Sequence, residues 1–235
     1  MNLVQNLSIG LSLACLMMMS SCSQEDAQMP EPKVESINTN SNLKTDMIPW
    51  MPPTKGYTGV DTYPNLWERY SPNSGASDPV AYPSGTSSLT HLWGNSSFSW
   101  VKSLSAVPNQ PWSSFLTVAT SSKLQLKKRS MVQTNIQFLT PGANYALTIY
   151  VASTLPAGKV ATFAKQGHVS ISTPGAEPQV FNVDLTNSKN CWVKKIIMFK
   201  AKAQVMKFIF SAEPAQEGQY AYAHVFVGQD AIVKF

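Results

Sequence analysis

The stretch FLTPGANYALTIYV, residues 138–151, decides the fold that we predict for this chain. Pro141 followed by Gly142 is typical of a tight turn, because proline presets one backbone angle and glycine accepts a left-handed one. After the turn, larger apolar residues alternate with small or polar ones. Alternate residues of a strand point to the same face, so we expect one face of this strand to enter a core. Its residues are Tyr145, Leu147, Ile149 and Val151.

Strand-like segments recur along the second half of the chain. Each is a short run rich in β-branched and aromatic residues, and Pro, Gly or Asn punctuate the intervals. We expect strands near residues 97–102, 114–119, 124–127, 132–138, 145–152, 167–173, 179–185, 192–201, 205–211, 220–227 and 231–235. No stretch combines helical spacing of apolar residues with a helix cap. The sequence therefore predicts an all-β fold, a jelly-roll-like two-sheet sandwich.

The turn and strand at residues 139–145 and beyond resemble a signature of carbohydrate-binding-module-like, galactose-binding-type jelly rolls. In that family an L-x-P-G-x-x-Y turn leads into a strand of alternating apolar and small residues, and the resemblance covers residues 90–235. The closing strand differs, because Ala223 and His224 stand where the family often has an acidic pair. The resemblance therefore implies a jelly roll with a carbohydrate ligand, and we expect no metal and no other cofactor.

The start of the chain has the composition of a cleaved export signal. Residues 1–21 are mostly apolar and hold no charged side chain, yet the run is short for a membrane span of about 20 apolar residues. Small residues precede Cys22, which resembles the lipobox of bacterial lipoproteins. The acidic stretch at residues 23–26 resembles the surface-export signal of Bacteroidota lipoproteins. These features predict cleavage before Cys22, a lipid anchor to the outer membrane on that residue, and exposure at the cell surface.

Two alternatives to this start remain open. Cys15 is a rival acylation site, although its use would leave residues 16–19 as an exposed apolar tail. An uncleaved anchor helix is the other alternative. If Cys15 is removed and Cys22 is acylated, Cys191 has no cysteine left to pair with, so we expect no internal disulfide in the mature chain.

The chain divides into four parts by composition. Residues 1–21 form the signal peptide, and residues 22–48 form a lipidated, flexible tether that holds too few apolar residues to fold. Residues 49–88 are rich in turn formers and are expected to form an ordered loop region packed on the domain. Residues 89–235 form the β-sandwich domain.

Charge is distributed unevenly along the chain. The formal net charge is +5, and no acidic residue occurs between Asp78 and Glu177. A basic surface of this kind suits nucleic acid or an acidic polysaccharide. The lysines alternate with apolar residues in KLQLK at residues 123–127, which favours the interpretation that they are solvated positions on a half-buried strand. We therefore expect no nucleic-acid partner.

Tryptophans in loop-like sequence are candidates for ligand binding. The C–H faces of sugars pack flat against aromatic rings, and the hydroxyl groups of sugars need amide or charged side chains alongside. Trp93, Asn95 and Trp112 lie in segments that carry both kinds of residue, and binding sites form preferentially on loops. Burial of each ring in the core is the competing interpretation.

The closing strand supplies a second set of candidates. Tyr222 and His224 share one face with Tyr220 and Phe226, whereas small and β-branched residues occupy the other face. Rings that point outward would form a stacking platform for a ligand, and rings that point inward would fill the core. Both assignments fit the alternation.

Catalytic signatures are missing from the sequence. Glycoside hydrolysis needs two facing carboxylates, and the acid-free middle of the chain removes many pairings. No Gly-x-Ser-x-Gly or phosphate-binding glycine motif occurs, and the three histidines are too far apart for local metal-ligand spacing. We therefore predict a surface lipoprotein that binds a glycan or glycoconjugate without catalysis. The alternative is a structural or adhesive assembly subunit that binds an envelope protein.

Overall fold

The structure, a computed structural model, describes residues 47–70, 82–121, 130–216 and 218–235. Within these residues the chain is almost entirely β, which confirms the predicted fold class. A single 3-10 turn spans Leu92–Gly94. The strands are β1 (Gly59–Val60), β2 (Glu68–Arg69), β3 (Ser84–Ser88), β4 (Ser114–Ser121), β5 (Val132–Ile136), β6 (Asn144–Ser153), β7 (Ala161–Ser172), β8 (Gln179–Asp184), β9 (Val193–Lys200), β10 (Met206–Pro214) and β11 (Tyr220–Lys234).

The strands form two sheets that share β7. The first sheet has the order β1-β3-β4-β11-β6-β9, and the second has the order β8-β7-β10-β5-β2. Neighbouring strands are antiparallel, except that the start of β7 runs parallel to the start of β11. Because β7 leaves the first sheet after Phe163 and continues in the second, the two sheets curl into a sandwich.

The main core lies between the two sheets. The predicted inner face of β6 is confirmed, since its four residues from Tyr145 to Val151 have no exposed surface. β11 contributes a row of small and β-branched residues to this core, and β10 contributes larger rings. From β11 these are Ala221, Ala223, Val225 and Val227, and from β10 they are Phe208 and Phe210.

The turn before β6 is locked in place by Tyr145. The tyrosine ring is fully buried and stacks on Phe199 at a centroid distance of 5.7 Å. Its hydroxyl oxygen accepts a 2.7 Å hydrogen bond from the backbone N–H of Thr140. Gly142 has a φ of 87°, where a residue with a Cβ is strained, and its N–H donates to the carbonyl of Ala201. The Pro-Gly turn is thereby fixed to the chain that leaves β9.

Residues ahead of β3 also enter the main core. Met51 and Trp67 are buried there, and Trp67 packs edge-on against Phe208 at 5.8 Å. The indole N–H of Trp67 donates to the carbonyl of Pro52 at 3.0 Å. The exact division of the chain into four parts stays a prediction.

Some strands differ from their prediction. Residues 97–102 form only isolated bridges at Ser99 and Trp100, because this segment folds over a sheet instead of joining one. The last two predicted strands are one strand, β11, whose pairing with β6 shifts between Val227 and Ile232. The strand β3 was missed, since its sequence SGTSS has no apolar residue. The strand predicted at residues 124–127 lies outside the described residues.

The residues on which membrane attachment is predicted lie outside the described part of the chain. No helix in it is long and apolar enough to cross a bilayer. Cys22 and the signal lie outside the described residues. Cys191 is disulfide-bonded in the unprocessed chain, whereas the expectation of no internal disulfide concerns the mature chain and stays a prediction. No other cysteine falls within the described residues.

Replacing Tyr145 by Phe tests the turn. The substitution keeps the ring but leaves the Thr140 N–H without its acceptor, which should lower the free energy of unfolding by about 1–3 kcal/mol. Urea denaturation should show a lower midpoint with an unchanged slope. Tyr57→Phe is the matched control, because Tyr57 is 91% exposed and the change should leave the midpoint unaltered. Equal midpoints for both variants would show that the turn does not depend on this hydrogen bond.

Candidate functional site

The outer face of the first sheet is covered by the chain between β3 and β4. This covering segment, residues 89–113, forms a third layer with its own apolar cluster. Buried members from the segment are Leu92, Trp100, Leu104 and Val107, and buried members from the sheet are Phe115, Ala119, Ala152, Tyr222 and Phe226. The first sheet is therefore buried on both faces over much of its area.

Three rings of β11 each contact one tryptophan of the covering segment. The pairs are Tyr222 with Trp93 at a centroid distance of 6.2 Å, His224 with Trp100 at 5.1 Å, and Phe226 with Trp112 at 5.7 Å. The rings of β11 thus share a face, as the alternation predicts, and this face points away from the core between the sheets. They are nevertheless covered, so they form no open platform.

His224 is fully buried in a hydrogen-bonded network. Its Nδ1 lies 3.0 Å from Thr117 Oγ1, and its Nε2 lies 2.7 Å from Thr154 Oγ1. A neutral imidazole donates through one nitrogen and accepts through the other, so both threonines are satisfied without a charge. Burial lowers the pKa of His224 from 6.5 to about 3, and the ring is neutral at physiological pH. The ring of His224 thus points away from the core between the sheets, yet it is buried beneath the covering segment and not exposed as a platform.

Tyr222, the other candidate from the closing strand, is also buried, with 7% of its surface exposed. Burial raises the pKa of its hydroxyl. Its ring meets Trp93 edge-on. Neither Tyr222 nor His224 presents a ring face to solvent, and the role that the structure gives to both is packing under the covering segment.

The three covered rings of β11, Tyr222, His224 and Phe226, form a strip that we call the covered strip. Trp93 and Asn95 lie at one end of it. Trp93 is half-buried and has a φ of 53°, a left-handed conformation that interrupts the 3-10 turn. Asn95 is exposed, and its Oδ1 accepts a 2.9 Å hydrogen bond from the backbone of Ser97. The partners of Trp93 and Trp112 on β11 are four residues apart, which is about 14 Å along a strand. The structure therefore does not bring these two tryptophans into one site.

A cleft of about 190 Å³ opens at the Trp112 end. One wall is the end of the covering segment, another is the outer face of β6, and the third is the irregular part of β11. Side chains that line it and bear on binding are Gln110, Trp112, Thr148, Tyr150, Gln229 and Asp230. Of the residues predicted from sequence, only Trp112 belongs to this cleft.

Two rings in the cleft are held by Phe226. Trp112 stacks on it with an interplanar angle of 18°, and Tyr150 meets it edge-on at 81° with centroids 6.2 Å apart. Both Trp112 and Tyr150 are half-buried, so part of each ring remains exposed. Burial raises the pKa of the Tyr150 hydroxyl, which therefore stays protonated at neutral pH and able to donate.

Local backbone features position the polar side chains. Asn109 has a φ of 59°, and the turn that it forms closes with a hydrogen bond from the N–H of Gln110 to the carbonyl of Val107. The Gln110 amide lies directly over Gly228, where an added Cβ would come within 2.9 Å of it. Gly228 therefore leaves room for the Gln110 amide at the cleft.

Sequence reasoning missed Tyr150, Gln229 and Asp230. Tyr150 lies on the outward face of the strand whose inward face was predicted correctly, so the alternation alone held the signal. The run Gly228-Gln229-Asp230 interrupts the apolar pattern of β11, which is typical of a bulge that turns polar side chains outward. Within the described residues, no three His, Cys, Asp or Glu side chains are grouped closely enough to hold a metal ion.

Comparison with known proteins gives a family match. Residues 80–225 match a family model described as "Protein of unknown function (DUF642)". No curated protein matches the chain.

Similar solved structures include a carbohydrate-binding module. TmCBM61 in complex with β-1,4-galactotriose is 12% identical, with a TM-score of 0.36 over 72% of this chain and 99% of that one. A cyclase from Fischerella sp. TAU is 14% identical, with a TM-score of 0.46 over 74% of this chain and 89% of that one. The enzymatically active domain of bacteriophage CBA120 tailspike protein 4 is 11% identical, with a TM-score of 0.41 over 70% of this chain. The chain spans only 19% of that tailspike, and likenesses at this level carry no argument about ligand or reaction.

The buried His224 should make stability depend on pH. Above pH 6.5 the imidazole is neutral in both states, and below it the unfolded chain binds a proton that the folded chain refuses until about pH 3. The free energy of unfolding should therefore fall by up to about 1.4 kcal/mol per pH unit between these limits. In His224→Phe this contribution should vanish. Urea denaturation at several pH values from 7 to 4.5 should therefore show that the free energy of unfolding of this variant falls less steeply with decreasing pH than that of the wild type.

The matched control is His168→Phe on β7. His168 is only partly buried, so its replacement shows whether the loss of any histidine alters the dependence of the free energy of unfolding on pH. If the free energy of unfolding of wild type and His224→Phe depended on pH in the same way, His224 would take up a proton in the folded state. That result would contradict the burial of this ring.

Proposed function

The chain belongs to the DUF642 family of proteins of unknown function, and we propose that its β-sandwich binds a glycan without changing it. The cleft beside Trp112 carries this proposal, because it combines two partly exposed aromatic rings with three amides and a carboxylate. Ring faces suit the apolar C–H surface of a sugar, and amides and carboxylates suit its hydroxyl groups.

One aromatic wall of the cleft is fixed by packing before any ligand arrives. Phe226 stacks on Trp112, and the missing Cβ of Gly228 leaves room for the Gln110 amide. A site whose side chains are already fixed loses less conformational entropy on binding, which favours affinity from a small contact area. Among the described residues that line the cleft, only Asp230 is a carboxylate, whereas glycoside hydrolysis uses a pair. Binding therefore suits this cleft better than hydrolysis.

We also propose that the sandwich acts at the cell surface, anchored to the outer membrane by a lipid on Cys22. The support is in the sequence, where small residues precede Cys22 and acidic residues follow it. The polar stretch after Cys22 would hold the cleft away from the membrane.

A second candidate function, binding of an envelope protein as an adhesive or assembly subunit, is favoured by an exposed apolar patch on the outer face of the first sheet. Met198 and Val233 flank Ala146 in one cross-strand row, and Ile196 lies in the next row. The three large residues are 39%, 56% and 47% exposed in that order. Co-purification of one defined envelope protein, lost in Ile196→Lys, would favour this candidate.

Removal of Trp112 should abolish glycan binding. Titration calorimetry of the purified protein against a panel of soluble polysaccharides should identify a ligand, and Trp112→Ala should weaken it at least tenfold, about 1.4 kcal/mol. Trp93→Ala should change the affinity less than twofold, because Trp93 is remote from the cleft. Tyr57→Ala is the control for loss of an exposed ring.

The panel also tests the alternatives. Loss of binding in Trp93→Ala with retention in Trp112→Ala would place the site at the other end of the strip. A panel without any binder would contradict glycan binding altogether. Unfolding midpoints of each variant must accompany the titrations, since Trp112 also packs on Phe226.

Lipidation is tested by incorporation of labelled palmitate in cells. Wild type and Cys15→Ser should be labelled, and Cys22→Ser should not, because only Cys22 becomes the first residue of the processed chain. Protease added to intact cells should then degrade the wild-type protein. Label retained in Cys22→Ser but lost in Cys15→Ser would move the anchor to Cys15.

A further inference from the structure

The ring planes of Trp112 and Tyr150 in the cleft are steeply inclined to each other. Trp112 is nearly parallel to Phe226, and Tyr150 is nearly perpendicular to it, so the planes of Trp112 and Tyr150 cannot be close to parallel. Rings inclined this steeply cannot both stack on sugars of a flat, ribbon-like glycan, whose sugar faces are parallel. Here one sugar ring fits the corner, with its face on Trp112 and its edge toward Tyr150.

No second platform continues the cleft along the covered strip. The next ring of β11 is His224, which is fully buried beneath Trp100. The next outward positions of β6 are Thr148 and Ala146, which have no ring. A longer glycan would therefore meet no further aromatic stacking surface on these two strands before Tyr220, which is 42% exposed at the far end of β11, about 20 Å from Phe226 along the strand.

The size of the cleft agrees with a single sugar ring. Sites for drug-sized ligands occupy about 300–1,000 Å³, and this cleft has about 190 Å³. Its lining therefore encloses a ligand smaller than that class, and the rest of any bound chain would remain in solvent.

The charge of the lining differs from that of the chain. The chain carries a net charge of +5, whereas the described residues that line the cleft include one carboxylate, Asp230, and no Lys or Arg. Lys194 is the cross-strand neighbour of Tyr150 on β9 but does not line the cleft. A carboxylate repels uronic acids and sulfated sugars and accepts hydrogen bonds from neutral hydroxyl groups.

We propose that the cleft recognises one uncharged sugar residue, and that affinity does not depend on the length of the glycan that carries it. This inference rests on the proposed glycan binding and specifies the ligand class of the same site. Under this proposal, the basic residues between Asp78 and Glu177 do not determine which ligand binds.

Titration calorimetry of the full chain tests the inference. The probes are glucose, galactose and mannose as methyl glycosides, as trisaccharides and as hexasaccharides, together with glucuronate and galacturonate oligomers. For the sugar that binds, the Kd per glycan should agree within threefold from the trisaccharide to the hexasaccharide. The matching uronate should bind at least tenfold more weakly, and Asp230→Asn should reduce that difference.

Two variants separate this inference from the proposed function. Trp112→Phe keeps a ring and should retain binding, whereas Trp112→Ala should lose it. Lys194→Ala should leave every Kd within twofold. If binding depends on Trp112 but strengthens tenfold or more from trisaccharide to hexasaccharide, glycan binding stands and the single-residue site is wrong. Preference for uronates, lost in Lys194→Ala, overturns the neutral ligand, and the absence of any binding overturns both proposals.

Discussion

The alternation of β11 is the constraint on which the rest of the structure depends. Small and β-branched residues from Ala221 to Val227 fill the space between the sheets, where the rings of β10 already occupy much of the core. The rings of β11 must then point to the other face. Leaving them exposed would forgo about 1.5–3 kcal/mol for each large ring, and the covering segment buries them with one tryptophan apiece. A third layer therefore follows from the pattern of a single strand.

The cleft exists where this arrangement ends. Beyond Phe226 the strand reaches Gly228, loses its regular pairing with β6, and turns Gln229 and Asp230 outward before pairing resumes at Ile232. The covering segment ends at the same place with Trp112, so an aromatic ring and polar side chains meet at one edge. The buried histidine belongs to the interior of the layer, since both of its nitrogens are satisfied by threonines. The side chains that line the cleft lie at this edge.

Much of the fold could be predicted because alternation is a local property. The buried face of β6 followed from residues 138–151, and the shared face of the β11 rings followed from their spacing. Which side of β11 would be covered could not be predicted, since burial depends on a segment more than 100 residues away. Trp112 was recognised because it lies in a loop beside amides, whereas Tyr150 was missed because its strand was interpreted only through its inward face. Alternation alone allows Tyr222 and His224 either to form an exposed platform or to be buried, and their contacts with the covering segment decide for burial.

Hydrogen exchange measured by mass spectrometry, with and without the neutral oligosaccharide that binds best, tests the central claim most directly. The claim is that the covering segment closes the ring face of β11 and leaves only its Trp112 end open to a ligand. We predict slower exchange on binding in peptides that contain residues 109–112, 148–150 and 228–231, and no change in a peptide that contains residues 93–95. Protection centred on residues 93–95, or faster exchange throughout residues 89–113 as the segment lifts away, would contradict the account.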